Sequence, residues 1–320
     1  MSTSLQTHFY FKDQDIHSIN LDTFLACEKS LRNILLHIAK AIDVKIELEI
    51  SVPQEGGYIS DTLIKIRDKR YTQTEALVII PTLFLIAQSI LSDDPELKDR
   101  HKAVQYLELS RSINTGELTL EEALSIYKKL DVDAICVPKS MVVLKKQCSN
   151  FYQSLEQNGK VSKVSNSILV NKKPQDEDKH TVHKPEFKNY IKSDEKIERI
   201  DPNAEIEIIA PVIKKSNYKW RGIYDERYIN FSLSDKDFKS DVYKSLYSFE
   251  TGSRLYAELK IKSIADDDGN LKDVEYEVLQ VYEYYQPSTQ ERIKTHAGRK
   301  RDAEEMFNTP QQEALQLTME

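Results

Sequence analysis

Apolar residues near the start of the chain recur at three- and four-residue steps. They are Leu21, Phe24, Leu25, Leu31, Leu35, Ile38 and Ile42. This spacing places their side chains on one face of a helix. Asn20 or Asp22 can cap the helix, because either side chain can accept hydrogen bonds from the unpaired amides of the first turn. The pattern predicts a long amphipathic helix, with a short strand before it in HFYFKD.

The next two segments alternate apolar and polar residues with a period of two. VKIELEISV and YISDTLIKIRD each have the pattern of a strand with one solvated face. Gly56 and Gly57 lie between them and can adopt the positive φ angles of a tight loop. The glycine pair lacks the Lys-Ser/Thr of a nucleotide-binding loop. We therefore interpret these segments as a β-hairpin.

Helical patterns dominate the following segments. Residues 76–90 are strongly apolar, and Pro81 fits best near the start of a helix or at a kink. Residues 93–111 and 119–130 form two further predicted helices, the second with Thr119 and Glu122 in capping-box spacing. A fourth helix ends at Gly159. The order β-α-β-β followed by helices predicts an α+β domain over residues 1–160.

The second half of the chain changes character twice. Residues 161–202 are rich in Lys, Asp, Glu, Ser and Asn, which predicts a polar linker. Residues 203–286 contain five or six runs rich in Tyr, Ile and Val, separated by polar turns and one short helical segment. These runs predict a small all-β barrel similar to an OB-fold. Residues 287–320 are predicted to be a flexible tail. The expected fold class is therefore α+β with a C-terminal OB-like barrel.

The charge balance limits the function classes that the sequence supports. There are 45 Lys and Arg residues against 52 Asp and Glu residues, a net charge of -7, so nucleic-acid binding would need a local basic patch. The longest apolar run is too short for a bilayer span, and no secretion signal opens the sequence. We expect a cytoplasmic protein without a membrane partner.

The metal-binding residue types do not form a recognisable site. Cys27, Cys136 and Cys148 are widely spaced, and His180 and His183 are the only close histidine pair, in a polar segment. The loop ADDDGN lacks the ligand spacing of a calcium-binding EF-hand. We predict free thiols and neither a metal nor a cofactor.

Glu258 and Lys260 form an E-x-K pair on a predicted strand. Such a pair occurs in metal-dependent nucleases, where a lysine assists the attacking water and a second acidic residue helps to hold the metal. The upstream aspartates lie in a turn and a helix rather than at a strand end. The alternative interpretation is a half-solvated barrel strand. The nuclease stays an alternative hypothesis.

Aromatic and basic residues are interleaved at the start of the predicted barrel. Stacking of bases on aromatic rings and contacts of phosphates with cations are what single-stranded nucleic acid requires. The predicted ligand-binding residues are Lys219, Trp220, Arg221, Tyr224, Arg227 and Tyr228. Core packing and cross-strand pairing are the alternative roles of such aromatics.

The strand, the helix INLDTFLACEKSLRNILLHIAKAI and the hairpin VKIELEISVPQEGGYISDTLIKI resemble uncharacterised bacterial proteins associated with mobile elements and phage-related gene clusters. The resemblance covers only this N-terminal region and transfers no catalytic motif. It implies a bacterial or phage protein with a role in phage–host conflict.

Taken with the barrel, these observations predict a binding protein rather than an enzyme. We expect the N-terminal domain to contact a protein partner or a second copy of the chain. The barrel would present a surface for nucleic acid or a nucleotide. A purely structural oligomer, with a large apolar interface and no ligand, is a further alternative.

Overall fold

A computed structural model of the chain describes residues 3–317 except 14, 16–17, 52–58, 93–118, 131, 136, 171–172, 175–179 and 193–194. The chain divides into two compact units. The first comprises residues 1–195 and 265–271, and the second comprises residues 196–264 and 272–320.

The first unit contains a six-stranded sheet and five α-helices in its described residues. The strands are β1 (Thr3–Phe11), β2 (Ile46–Ser51), β3 (Ile59–Ile66), β4 (Val161–Val170), β5 (Lys173–Pro174) and β6 (His180–His183). The helices are α1 (Leu21–Ala41), α2 (Gln73–Ser92), α3 (Leu120–Lys129), α4 (Pro138–Gln157) and α5 (Phe187–Tyr190). The strand order is β2-β3-β1-β4-β5, and β6 also pairs with β4.

Local sequence signals account for the elements of the first unit. The Asn20 side chain accepts hydrogen bonds from the amides of Asp22 and Thr23 and caps α1. Thr119 and Glu122 form the predicted capping box before α3. The hairpin of β2 and β3 is antiparallel, as predicted. Its glycine turn and the helix predicted over 93–111 lie outside the described residues.

The structure decides two details of the predicted helices. Of the two positions considered for Pro81, near a helix start or within a helix at a kink, the structure has the one inside α2. The helix α4 ends at Gln157 with Asn158 as its cap, and the cap has an extended conformation. Gly159 has no left-handed φ angle, so it does not terminate α4 in the way that we predicted.

The polar linker predicted over 161–202 is wrong. Residues 161–170 form β4, which pairs with β1 along the length of that strand. Val161, Val164 and Ile168 are fully buried, and the polar residues between Val164 and Ile168, residues 165–167, are buried as well. The serines and Asn166 make the composition of this segment polar, although the strand is buried on both faces. The first unit therefore extends to residue 195 rather than to 160.

The second unit is the predicted small barrel. Its strands are β7 (Ile197–Ala210), β8 (Trp220–Tyr224), β9 (Arg227–Leu233), β10 (Arg254–Ala265), β11 (Leu271–Gln286) and β12 (Glu291–Lys294), and α6 (Lys236–Tyr243) lies between β9 and β10. The order is β10-β7-β8-β9-β11, and a further pairing of β10 with β11 closes the barrel. This five-stranded barrel with an interposed helix confirms the α+β, OB-like fold class.

The barrel buries one side of each strand. Along β10, buried and half-buried residues alternate without interruption. The core is built from apolar side chains of all five strands and α6, including Ile206, Phe231, Phe238, Leu259 and Val281. Charged residues of the same strands therefore lie on the outside.

The flexible tail predicted over 287–320 is also wrong in its described part. Residues 291–294 form β12, which pairs with the end of β11. Residues 296–317 form the helix α7. The first turn of α7 packs backbone against backbone on Tyr282, because Gly298 has no side chain. The described part of the predicted tail is therefore attached to the barrel through β12 and Gly298, which the composition of the segment does not indicate.

Candidate nucleic-acid interface

The hairpin of β8 and β9 separates the predicted ligand-binding residues onto the two sides of the barrel wall. Trp220 pairs with Phe231 on the inner side. Its side chain is 1% exposed, and its ring contacts Phe249 edge-on at 5.3 Å between centroids. The prediction that Trp220 binds a ligand is therefore corrected: Trp220 is a core residue, because its strand position points into the barrel.

Tyr224 is engaged in a polar network at the end of β8. Its hydroxyl donates to the Asp201 carboxylate at 2.7 Å. Burial raises the pKa of Tyr224, and the bond to Asp201 adds to the shift. Nearby, Arg199 pairs with Asp273 at 3.1 Å. Because these contacts hold the phenol, Tyr224 is a poor platform for a stacked base.

Arg221 and Tyr228 lie on the outer side of the hairpin. Arg221 is paired with Asn230, and Ile223 is paired with Tyr228. This register makes Arg221 and Tyr228 diagonal neighbours, a separation of about 7–8 Å between their backbones. Tyr228 is 83% exposed. The outer side therefore combines a free aromatic ring with a guanidinium and the Asn230 amide.

The remaining predicted residues flank this pair. Lys219 is exposed just before β8. Arg227 pairs with Tyr224 and has the inward parity of Ile229, but it is exposed because it lies beside the hairpin turn. The loop before β8 adds Lys214, Lys215 and Tyr218, all of them exposed. We call the set Lys214, Lys215, Tyr218, Lys219, Arg221, Arg227, Tyr228 and Asn230 the β8–β9 face. Asn230 was not predicted, although counting in twos from Tyr228 along β9 would have found it.

The cations of the β8–β9 face differ from other cations of the barrel in their partners. Within the described part of the chain, none of its five Lys and Arg residues forms an ion pair. By contrast, Lys260 lies 2.6 Å from Glu277 and Lys262 lies 3.2 Å from Glu198. The charge of Lys219 contributes to lowering the pKa of Glu275 without an ion pair, and the other positive charges of the β8–β9 face likewise form no ion pair with a described carboxylate.

Acidic residues mark one border of the face. On β7, Glu207 is paired with Ile223 of β8, and Glu205 lies at the next outward position. Glu205 is neutralised by Arg254 at 2.6 Å. A polyanion on the β8–β9 face would therefore run along β8, β9 and the preceding loop rather than across β7.

Glu258 and Lys260 have protein partners on the outer side of β10. The Tyr282 hydroxyl donates to Glu258 at 2.8 Å. Lys260 pairs with Glu277, and Lys260 and the Ser234 hydroxyl lower the pKa of Glu277. These contacts are typical of a half-solvated barrel strand.

The other candidate ligand segments also have structural roles. In the acidic loop, one Asp266 oxygen accepts hydrogen bonds from the amides of Asp268 and Asn270, and Gly269 has a φ of +83°, so this is a tight hairpin turn. His180 and His183 are the two ends of β6. In the described residues, no group of three or more His, Cys, Asp and Glu side chains is arranged to hold a metal ion.

Comparison with known proteins adds no relative. No family model, curated protein or solved structure matches the chain. None of the described helices combines the length and apolar character needed to cross a bilayer. The site is therefore interpreted from its own residues.

Proposed function

We propose that this chain is a non-enzymatic binding protein and that its barrel binds single-stranded nucleic acid on the β8–β9 face. The observation that carries the proposal is the combination, on one hairpin and its preceding loop, of exposed Tyr218 and Tyr228 with cations that have no ion pair among the described residues. In OB-folds the second and third strands and the adjoining loops bind oligonucleotides. Here those strands are β8 and β9.

The chemistry of the face matches the two parts of a nucleic-acid strand. An exposed tyrosine ring can stack on any base, since every base has a π-face. Arg221 and the flanking lysines can contact phosphates. In a duplex the bases are stacked on each other, so the tyrosines favour a single strand.

A single nucleotide shares this chemistry, but the exposure of the side chains favours an oligonucleotide. Tyr228 is 83% exposed and Tyr218 is 81% exposed, so neither ring lies in an enclosed pocket. A small ligand gains most of its affinity from being enclosed. An extended strand can instead add weak contacts along an open surface.

Two other hypotheses stay predictions. The nuclease hypothesis would need a second carboxylate beside Glu258, where the contact in the structure is the Tyr282 hydroxyl. The role in phage–host conflict rests on the N-terminal resemblance alone, and nucleic-acid binding by the barrel does not depend on it.

The first test is fluorescence anisotropy with a labelled oligo-dT of about 12 nucleotides, within the site sizes of OB-folds. We expect saturable binding at low salt. Tyr228→Ala should weaken it by about 1–3 kcal/mol, the usual value of a stacked base, and Tyr228→Phe should retain it. Arg221→Ala should reduce the slope of log affinity against log salt by about 0.7 for the lost phosphate contact.

The matched control is Lys300→Ala. Lys300 lies on α7, which packs on β11 through Gly298, and its side chain is 70% exposed. Its removal subtracts the same charge but should leave binding unchanged. Equal affinities for wild type, Tyr228→Ala and Arg221→Ala would contradict the proposal. Competition by AMP at low concentration would point to a nucleotide instead.

A further inference from the structure

A second basic site lies in the first unit, where β1 ends and α4 ends. There the chain forms a cavity of about 510 Å³ that is open to solvent. This volume is within the range of small-molecule sites. The cavity is lined by Lys12, Glu156, Ser162, Lys184, Pro185 and Lys188. Three of these six residues are lysines, and one is acidic.

Lys184 is held in place by the end of α4. Its ammonium donates to the carbonyl oxygens of Leu155 at 3.3 Å and Glu156 at 3.0 Å, and also to the carbonyl of Asn158. The Leu155 carbonyl also accepts the amide of the cap residue Asn158, and the negative end of the helix dipole favours a cation there. The position of this charge is therefore fixed by the fold.

Lys12 and Lys188 have fewer protein partners than Lys184. Lys12 is exposed and has no ion pair within the described ranges. Lys188 reaches Glu156 only at 3.9 Å, and its side chain is 76% exposed. With three ammonium groups and one carboxylate, the cavity has an excess of two positive charges.

The positive charges of the lysines in the cavity repel one another. Burial lowers the pKa of Lys184, the Glu156 carboxylate opposes this shift, and the charge of Lys12 adds to it. An anion in the cavity would relieve this repulsion. The Ser162 hydroxyl donates to the carbonyl oxygens of Tyr10 and Phe11 at 3.1 Å each, so it has no donor left for a ligand. The lysines would supply the attraction.

We propose that this cavity binds the phosphate group of a small phosphorylated molecule. A phosphate dianion matches the charge excess, and lysine is a common phosphate ligand in proteins. The three donors of Lys184 are used by the carbonyls, so Lys184 would supply only a fixed charge, and the hydrogen bonds to the anion would come from Lys12 and Lys188 on the exposed side. The site is independent of the β8–β9 face and of nucleic-acid binding there.

The test is a titration with inorganic phosphate, followed by ³¹P NMR line broadening at constant ionic strength set with chloride. We expect saturable binding to the full-length chain. The double variant Lys12→Gln and Lys188→Gln should weaken binding by about tenfold or more, since two charge-assisted contacts are lost. Both residues are exposed or partly exposed, so the variant should keep its fold, which far-UV circular dichroism checks.

The matched control is Lys139→Gln, an exposed lysine in the first turn of α4. It lies about 25 Å along the same helix from Glu156. Lys139→Gln and Arg221→Ala should both bind phosphate as the wild type does. The proposal is overturned if the double variant binds phosphate as well as the wild type, or if the wild type shows no saturable binding.

Discussion

Glu28 is a carboxyl group whose surroundings oppose its charge. It lies on α1, on the side of the helix where Ser60 of β3 approaches it. Burial raises the pKa of Glu28, and the Ser60 hydroxyl partly opposes the shift. An acid with a raised pKa in the folded state holds its proton more tightly there than in the unfolded chain. Stability is therefore lost as the pH rises from about 4.5 through the folded-state pKa.

Replacing Glu28 by an uncharged isostere should remove this penalty. We expect Glu28→Gln to raise the free energy of unfolding at pH 8 by an amount of the order of 1 kcal/mol, and by less at pH 5. Urea unfolding at the two pH values measures the difference. Glu121→Gln, at an exposed position of α3, should show no such pH-dependent gain. A Glu28→Gln gain that is equal at both pH values would refute the explanation.

Trp220 and Tyr228 show what the sequence could not decide at the residue scale. Both are aromatic residues in a basic segment, but only Tyr228 faces outward. The alternation along β8 is hard to recognise because an inward position is occupied by Gly222. A Cβ at Gly222 would come within 2.7 Å of the Glu207 carbonyl oxygen and 2.8 Å of Ile206. Close packing, rather than hydrophobicity, selects glycine there, so the apolar pattern has a gap.

At the scale of the element, the start of α7 is held against β11 by a few specific contacts. A Cβ at Gly298 would collide with the Tyr282 backbone, and the Gly298 amide donates to the Thr295 hydroxyl oxygen at 3.1 Å. Arg301, one turn further along, lies 4.2 Å above the Tyr282 ring. The start of the helix is therefore fixed to β11 by a glycine, a cap and one cation–π contact.

Gly298→Ala should detach this first turn. We expect a loss of about 1–3 kcal/mol in barrel stability from overpacking and faster tryptic cleavage within residues 299–301. Limited proteolysis followed by mass spectrometry measures the cleavage. Gly159→Ala is the control, since a Cβ there has no atom within 4 Å. Equal cleavage rates in both variants would mean that the contact does not hold α7.

The two segments that were assigned wrongly share a physical cause. The helix α1, the β2–β3 hairpin and the barrel strands have regular apolar periods, so their own sequences predict them. By contrast, β4 depends on pairing with β1, and α7 depends on Gly298 lying against Tyr282. Neither contact leaves a periodic signal in the segment itself. The unpaired state of the lysines on the β8–β9 face is likewise a property of neighbours distant in sequence.

At the scale of the whole molecule, the open edge of β2 is a candidate surface for the predicted self-association. In the described residues β2 pairs with β3 alone, so its other edge is open. Ile50 on this strand is 51% exposed, whereas Glu47 and Glu49 are paired with Arg67 and Lys65. An open edge with neutralised charges can pair with another strand.

We therefore expect Ile50→Lys to reduce any assembly to the mass of one chain, because a charge on an edge strand disfavours pairing. Size-exclusion chromatography with light scattering measures the mass. Val137→Lys adds the same charge at another exposed apolar residue, 45% exposed before α4, and should leave the mass unchanged. A wild-type protein that is monomeric at tens of micromolar would rule out self-association by this edge, leaving a different protein as partner.

The position of β1 between β3 and β4 has a consequence for synthesis of the chain. The Thr7 hydroxyl donates to the Asn166 side chain across a separation of 159 residues. At translation rates of about 5–20 residues per second, β4 is synthesised roughly 8–30 s after β1. During that time its apolar side chains Leu5 and Phe9 lack their final cover. The sheet of the first unit therefore cannot be completed until the chain has been synthesised past β4.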